Sequence, residues 1–138
     1  MKPTSRHIHL LIITTCVILL TACDEGRQQL MPMQQTMDSL KMWYGQMQGD
    51  SMKVKSEQVA HFLQQHEDDQ SSPMRRLRAE WLKAKGVWYG AIKGMPDSAL
   101  VYTDRAIAEM NGLSGVDELR ILAMANRADF YRQLGQLD

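Results

Sequence analysis

Between residues 72 and 138 apolar side chains recur at steps of three and four, and the same kind of turn breaks the run at two equivalent places. That pattern restricts the fold more than any other feature of the chain. Ser72-Pro73 opens a helix with an N-cap and a first-turn proline. Met74, Leu77, Trp81, Ala84, Trp88 and Ile92 form one stripe along it, and Leu82, Val87 and Tyr89 widen the apolar arc. Gly94-Met95-Pro96-Asp97-Ser98 makes the turn and caps the next helix, on which Ala99, Leu100, Thr103, Ala106, Ile107 and Met110 face back. After Asn111-Gly112 and a loop through Leu113 to Val116, Asp117 and Glu118 put acids at the positive end of another helix. Leu119, Leu122, Ala123, Met124, Ala128, Phe130, Tyr131 and Leu134 spread over most of its surface, and it runs into Gly135-Gln136-Leu137-Asp138 as the earlier helix runs into Gly94. A helix apolar over so much of its circumference has to be covered on more than one side, as in stacked hairpins. Strand-like alternation is missing after the first twenty positions, so the predicted class is all-α.

Residues 30–70 predict a further hairpin. Leu30, Met33, Met37, Leu40, Tyr44 and Met47 fall in one helical stripe. Gly49-Asp50-Ser51 supplies a stop and a new cap, and Met52, Val59, Phe62 and Leu63 make the apolar face of the second helix before His66 to Ser71 ends it. Eleven methionines suit irregular gaps between helices.

The N-terminus has the build of an export signal. Lys2, Arg6, His7 and His9 precede an apolar run from Leu10 to Leu20 that is too short to span a bilayer as a helix. It ends in Leu20-Thr21-Ala22-Cys23, which resembles a bacterial lipobox. The resemblance implies a signal peptide over residues 1–22, cleavage before Cys23, and diacylglycerol on the Cys23 sulfur, with residues 23–29 as a lipidated tether. Cys16 would leave with the signal, and Cys23 would be blocked, so disulfides and thiol catalysis are not expected. The address this implies is a lipid anchor on the cell membrane, facing the periplasm.

Residues 71–138 resemble tetratricopeptide repeats. Gly86, Tyr89 and Gly94, then Ala99 and Ala106, stand where that family places small residues, an aromatic and its turn glycine; Ala128, Tyr131 and Gly135 repeat the set. Small residues there let two helix backbones approach closely. The first unit has one extra residue before its glycine, and Gly94 to Gly135 spans 41 residues where the family repeat is about 34. The expected architecture is therefore a short stack of antiparallel helical hairpins of tetratricopeptide type, its last repeat incomplete. The lipobox, Met37-Asp38-Ser39-Leu40, Ser72-Pro73 and the Pro96-to-Leu100 turn also resemble the N-terminal part of repeat-containing bacterial lipoproteins and membrane sensor regulators.

That resemblance implies a scaffold or adaptor that binds a protein or peptide partner on a concave helical face. Lys85, Tyr89, Asn126 and Arg127 are the candidate contacts on the repeats, and Trp43 is the candidate surface anchor upstream. The last helix, left uncovered, would support a homo-oligomer. The alternative expectation is the sensory N-terminal region of a histidine kinase or transcriptional regulator. Sixteen acidic against sixteen basic residues argue against nucleic acid. No serine–histidine–acid set, phosphate-binding glycine loop or zinc-binding histidine motif occurs, so neither enzymatic activity nor a cofactor is expected. His61 with Glu57 offers only a weak metal contact, since His66 lies five residues on and turns away. Arg75, Arg76, Arg78, Lys83 and Lys85 form a basic patch that reads as a solvated outer face or a dock for an acidic peptide or lipid.

Overall fold

In a computed structural model the protein is described at residue 28, residues 30–39 and residues 49–136. The chain divides into two units, Met1–Pro32 and Met33–Asp138. In the first, residues 28 and 30–32 are helical; all that follows concerns the second. Its described residues contain no strand. They form α1 (residues 33–39), α2 (Gly49–Gln65), α3 (Ser72–Val87) continued by a π-helical turn (Trp88–Ile92), α4 (Pro96–Glu109) and α5 (Asp117–Gln133). The predicted all-α class is the class observed. The predicted signal peptide, most of the tether, Cys23 and Trp43 lie outside the described residues.

Local chemistry sets the helix ends. The cap position of α3 is Ser71 rather than Ser72, and Pro73 falls in the first turn, where its missing N–H has no helical partner to lose. Asp69 holds that entry, its carboxylate accepting the Ser71 N–H at 2.8 Å. Met95 takes the cap position of α4, with Pro96 opening the helix, so Asp97 serves as a first-turn acid instead of a cap. α2 begins at Gly49, so the stretch Gly49-Asp50-Ser51, predicted to supply a stop and a new cap, is already helical.

Tyr89 stands one residue further from Gly94 than Tyr131 does from Gly135, and that additional residue has a physical place. It is absorbed by the π-turn, where Lys93 N–H reaches the Trp88 carbonyl five residues back at 3.1 Å. Beyond it the turns after α3 and α5 close alike. Gly94 and Gly135 both adopt positive φ, 63° and 68°, the left-handed conformation that ends helices and that glycine enters without strain. The N–H after each glycine then turns back to a tyrosine carbonyl: Met95 to Tyr89 at 2.9 Å, and Gln136 to Tyr131 at 3.0 Å.

Packing gives the helix directions. Arg75 meets Glu109 and Asn111 while Gly86 lies at Ala99 and Thr103, so α3 and α4 are antiparallel. Arg127 meets Asp104 while Arg120 meets Met110, so α4 and α5 are antiparallel too. Ala79 shares a buried cluster with Met110, Val116 and Ala123, and Gly90 lies beneath the Phe130 ring. α3 and α5 therefore run the same way, with α4 against both. α2 is antiparallel to α3, the Trp81 indole donating to the Ser56 carbonyl at 3.3 Å and Arg78 reaching the end of α2. Val59, Phe62 and Leu63 on α2 and Met37 on α1 are buried, as their stripes predict. From α1, Gln34 Nε2 donates to the buried Glu80 carboxylate at 2.9 Å.

Candidate partner-binding surface

The arginines of α3 do not form a free basic patch. Arg75 Nη2 donates to the carbonyls of Glu109 and Asn111 at 2.7 and 2.9 Å. Arg78 pairs with the Glu109 carboxylate at 3.3 Å and also donates to the carbonyls of His66, Glu67 and Asp69, each at 3.3 Å. Arg76 pairs with Glu80 at 3.3 Å. Guanidinium groups here satisfy carbonyls that α2 and α4 leave open at their negative ends. The same device recurs 42 residues on, where Arg120 Nη2 donates to the Met110 carbonyl at the end of α4 at 2.5 Å. A step of 42 residues also carries Leu82 to Met124, Gly86 to Ala128 and Tyr89 to Tyr131. α3 and α5 thus run in the same direction and tie down the helix before each in the same way.

Of the four candidate contacts on the repeats, three direct their functional groups toward α4. Lys85 is half-buried, with Nζ 4.7 Å from the Trp81 ring centre and 4.6 Å from that of Tyr102 on α4, a cation held between two aromatic faces. The Tyr89 ring stacks on Tyr102 at 5.1 Å and 11°. Charge repulsion from the Tyr102 phenol, then a hydrogen bond with it, then slight burial raise the Tyr89 pKa above its ordinary 10.0. Arg127 Nε lies 2.7 Å from Asp104 on α4. Its N–H does not aim at that oxygen and is buried without a hydrogen-bond partner, while the guanidinium carbon sits 5.4 Å from the Tyr131 ring centre. Asn126 is half-buried on α5. Sequence reasoning missed this aromatic and cationic join, although Trp81, Lys85 and Tyr89 at steps of four were its visible signal.

The side of α3 and α5 turned from α4 has a different character. At 100° per residue, Val87 and Ala91 on the α3 rod and Leu122, Ala125 and Asp129 on α5 point away from the α4 contact. Val87 and Asp129 are half-buried, the other three exposed. Asp129 pairs with Arg132 and accepts from Gln133 at 2.9 Å. The surface is apolar apart from Asp129.

Among the described residues no three of His, Cys, Asp and Glu gather to hold a metal ion. His61 Nε2 lies 3.1 Å from Gln65, and His66 Nδ1 donates to the Phe62 carbonyl at 2.9 Å while its ring packs on Phe62. A hollow of about 300 Å³ lies beside the α4–α5 loop, lined by Ser72, Pro73, Arg76, Leu113, Ser114 and Val116. Its charged group, Arg76, is committed to Glu80 and to the Gly115 carbonyl at 3.4 Å. Among the described residues no helix is long and apolar enough to cross a membrane. Comparison of the chain with protein-family models, with curated proteins and with solved structures found no match.

Proposed function

We propose that this chain is a membrane-tethered, extracytoplasmic helical-repeat lipoprotein that holds a protein or peptide partner on the faces of α3 and α5 turned from α4. One observation carries the reading: the 42-residue equivalence of α3 and α5, with Arg78 and Arg120 fastening the ends of the preceding helices and Tyr89 and Tyr131 closing onto Met95 and Gln136. Side-by-side first helices backed by second helices are the plan of tetratricopeptide arrays, and such arrays bind extended or helical segments across the row of first helices. On this reading Val87, Ala91, Leu122, Ala125 and Asp129 meet the partner. Lys85, Tyr89 and Arg127 keep α4 seated so that this row keeps its shape. The tether is the lipobox Leu20-Thr21-Ala22-Cys23; two or more acyl chains hold a protein at a bilayer firmly.

A positional cross-linking experiment tests the binding face. The full chain is produced in its own membranes with a photoreactive residue at Val87, at Asp129, or at Arg105 on the exposed side of α4. The expected result is one discrete adduct from positions 87 and 129 and none from 105. Equal adducts from all three positions, or an adduct from 105 alone, would overturn the assignment of the face.

A further inference from the structure

The turn at Gly94 folds two tyrosines from different elements onto one another. Tyr89 stands in the π-turn after α3 and Tyr102 in the middle of α4, and their rings stack with centres 5.1 Å apart and planes 11° from parallel. The two phenols share a hydrogen bond. Their hydroxyl ends therefore lie side by side, and the ring carbons ortho to each oxygen face one another across the pair. Both side chains are half-buried, so an edge of the pair meets solvent. Tyr131, 42 residues on from Tyr89, has its ring beside the Arg127 guanidinium instead, at 5.4 Å.

A phenol that gives up an electron and its hydroxyl proton becomes a phenoxyl radical, with much of the unpaired spin on its ortho carbons. Such radicals end by coupling, and the product depends on what lies within reach. For a lone surface tyrosine the partner has to diffuse in on a second molecule. Here it is held in place, which favours the bond within one chain. The geometry points to Tyr89 and Tyr102 as an oxidative cross-linking site, where hydrogen peroxide acting through a haem peroxidase joins an ortho carbon of one ring to an ortho carbon of the other. Each phenol gives one electron and one proton, and the peroxide that takes them leaves as two waters. The ortho hydrogens displaced by the new carbon–carbon bond move to the phenoxyl oxygens, which restores both aromatic rings and both hydroxyls. Rotation about the side-chain torsions of the half-exposed rings closes the gap and tilts them out of the stack. The product is a dityrosine, lighter than the starting pair by two hydrogen atoms, that ties α3 to α4 covalently across their turn. This site does not depend on the proposed partner-binding face.

The test treats the full 138-residue chain, in detergent at low micromolar concentration, with hydrogen peroxide and a haem peroxidase at a dose that couples free tyrosine. Dityrosine fluorescence gives the yield, and tryptic mass mapping gives the place. Cleavage after Lys85, Lys93 and Arg105 leaves Tyr89 on peptide 86–93 and Tyr102 on peptide 94–105. The expected product is those two peptides joined, two hydrogen atoms lighter than their sum. Tyr89→Phe and Tyr102→Phe each keep a ring but remove a phenol, with circular dichroism as the control for folding. Each should lower the dityrosine yield roughly tenfold or more, whereas Tyr131→Phe should leave it unchanged. Wild-type peptides that stay separate overturn the inference, whether or not dityrosine forms elsewhere. So does a yield indifferent to Tyr102→Phe, or one that falls with Tyr131→Phe.

Discussion

Replacing Gly86 with alanine tests whether the close approach of α3 and α4 shapes the array. A Cβ at position 86 would sit 2.6 Å from Thr103 Oγ1 and 3.1 Å from the Ala99 carbonyl oxygen. The hydroxyl cannot swing aside freely, since it donates to that same carbonyl at 2.8 Å in a buried position. Restoring ordinary contact requires α4 to retreat by roughly 0.8 Å, which opens the packing along its whole length. Overpacking of this kind costs about 1–3 kcal/mol, and the gain in helix propensity on leaving glycine returns about 1 kcal/mol. The net expectation is a loss of up to about 2 kcal/mol, or up to roughly 10 °C in Tm for a domain of this size. Thermal and urea unfolding followed at 222 nm measure it. In a Thr103→Ala background the nearer obstacle is gone, so the cost of Gly86→Ala should fall by about 1 kcal/mol. A Gly86→Ala protein stabilised by the full propensity gain of about 1 kcal/mol, or one that changes by the same amount in both backgrounds, would refute the close-packing account.

Other substitutions probe the remaining joints. Arg78→Ala should cost about 1–2 kcal/mol in urea unfolding, because it leaves Arg75 as the remaining arginine on the Glu109 carboxylate and unpairs three carbonyls just beyond the end of α2; Arg78→Lys, unable to fork, should recover less than half. Gly90→Ala would place a methyl 2.1 Å from the buried Phe130 ring, so it should loosen α5, lowering hydrogen-exchange protection over residues 117–133 more than over α2. Tyr89, with its pKa raised in the fold, contributes stability fully below pH 10.0, and that contribution is lost as pH climbs through the folded value. Tyr102→Phe removes both the repulsion and the hydrogen bond, so NMR of ring-labelled tyrosine should show Tyr89 titrating at lower pH than in the wild type.

Much of the fold is legible because helix signals are local. The Ser72-Pro73 opening, the Pro96 start and the two turn glycines depend on backbone geometry that a few residues settle among themselves. The small residues Gly86, Ala99 and Ala106 likewise mark a close helix pair whatever else surrounds it. The surface was harder to read, for a reason that Lys85 and Arg127 make plain. A long cation on a helix can reach water, a partner or its own neighbour, and only the position of α4 places Lys85 between Trp81 and Tyr102 and Arg127 beside Asp104. The arginine patch misleads in the same way: guanidinium groups that read as free charge are occupied by carbonyls from segments about 10 to 40 residues distant. The π-turn could be sensed as one surplus residue before Gly94, yet its role in setting Gly90 beneath Phe130 depends on α5 being there.

The functional proposal stands most directly on Cys23, and intact-mass analysis of the full-length protein extracted from the membranes of its own cells tests it. The account predicts a mature chain that begins at Cys23, carries the added mass of a diacylglyceryl group with or without a further acyl chain, and is found in the membrane fraction only while Cys23 is present. A chain that keeps residues 1–22, or one cut elsewhere and bearing no lipid, would contradict it.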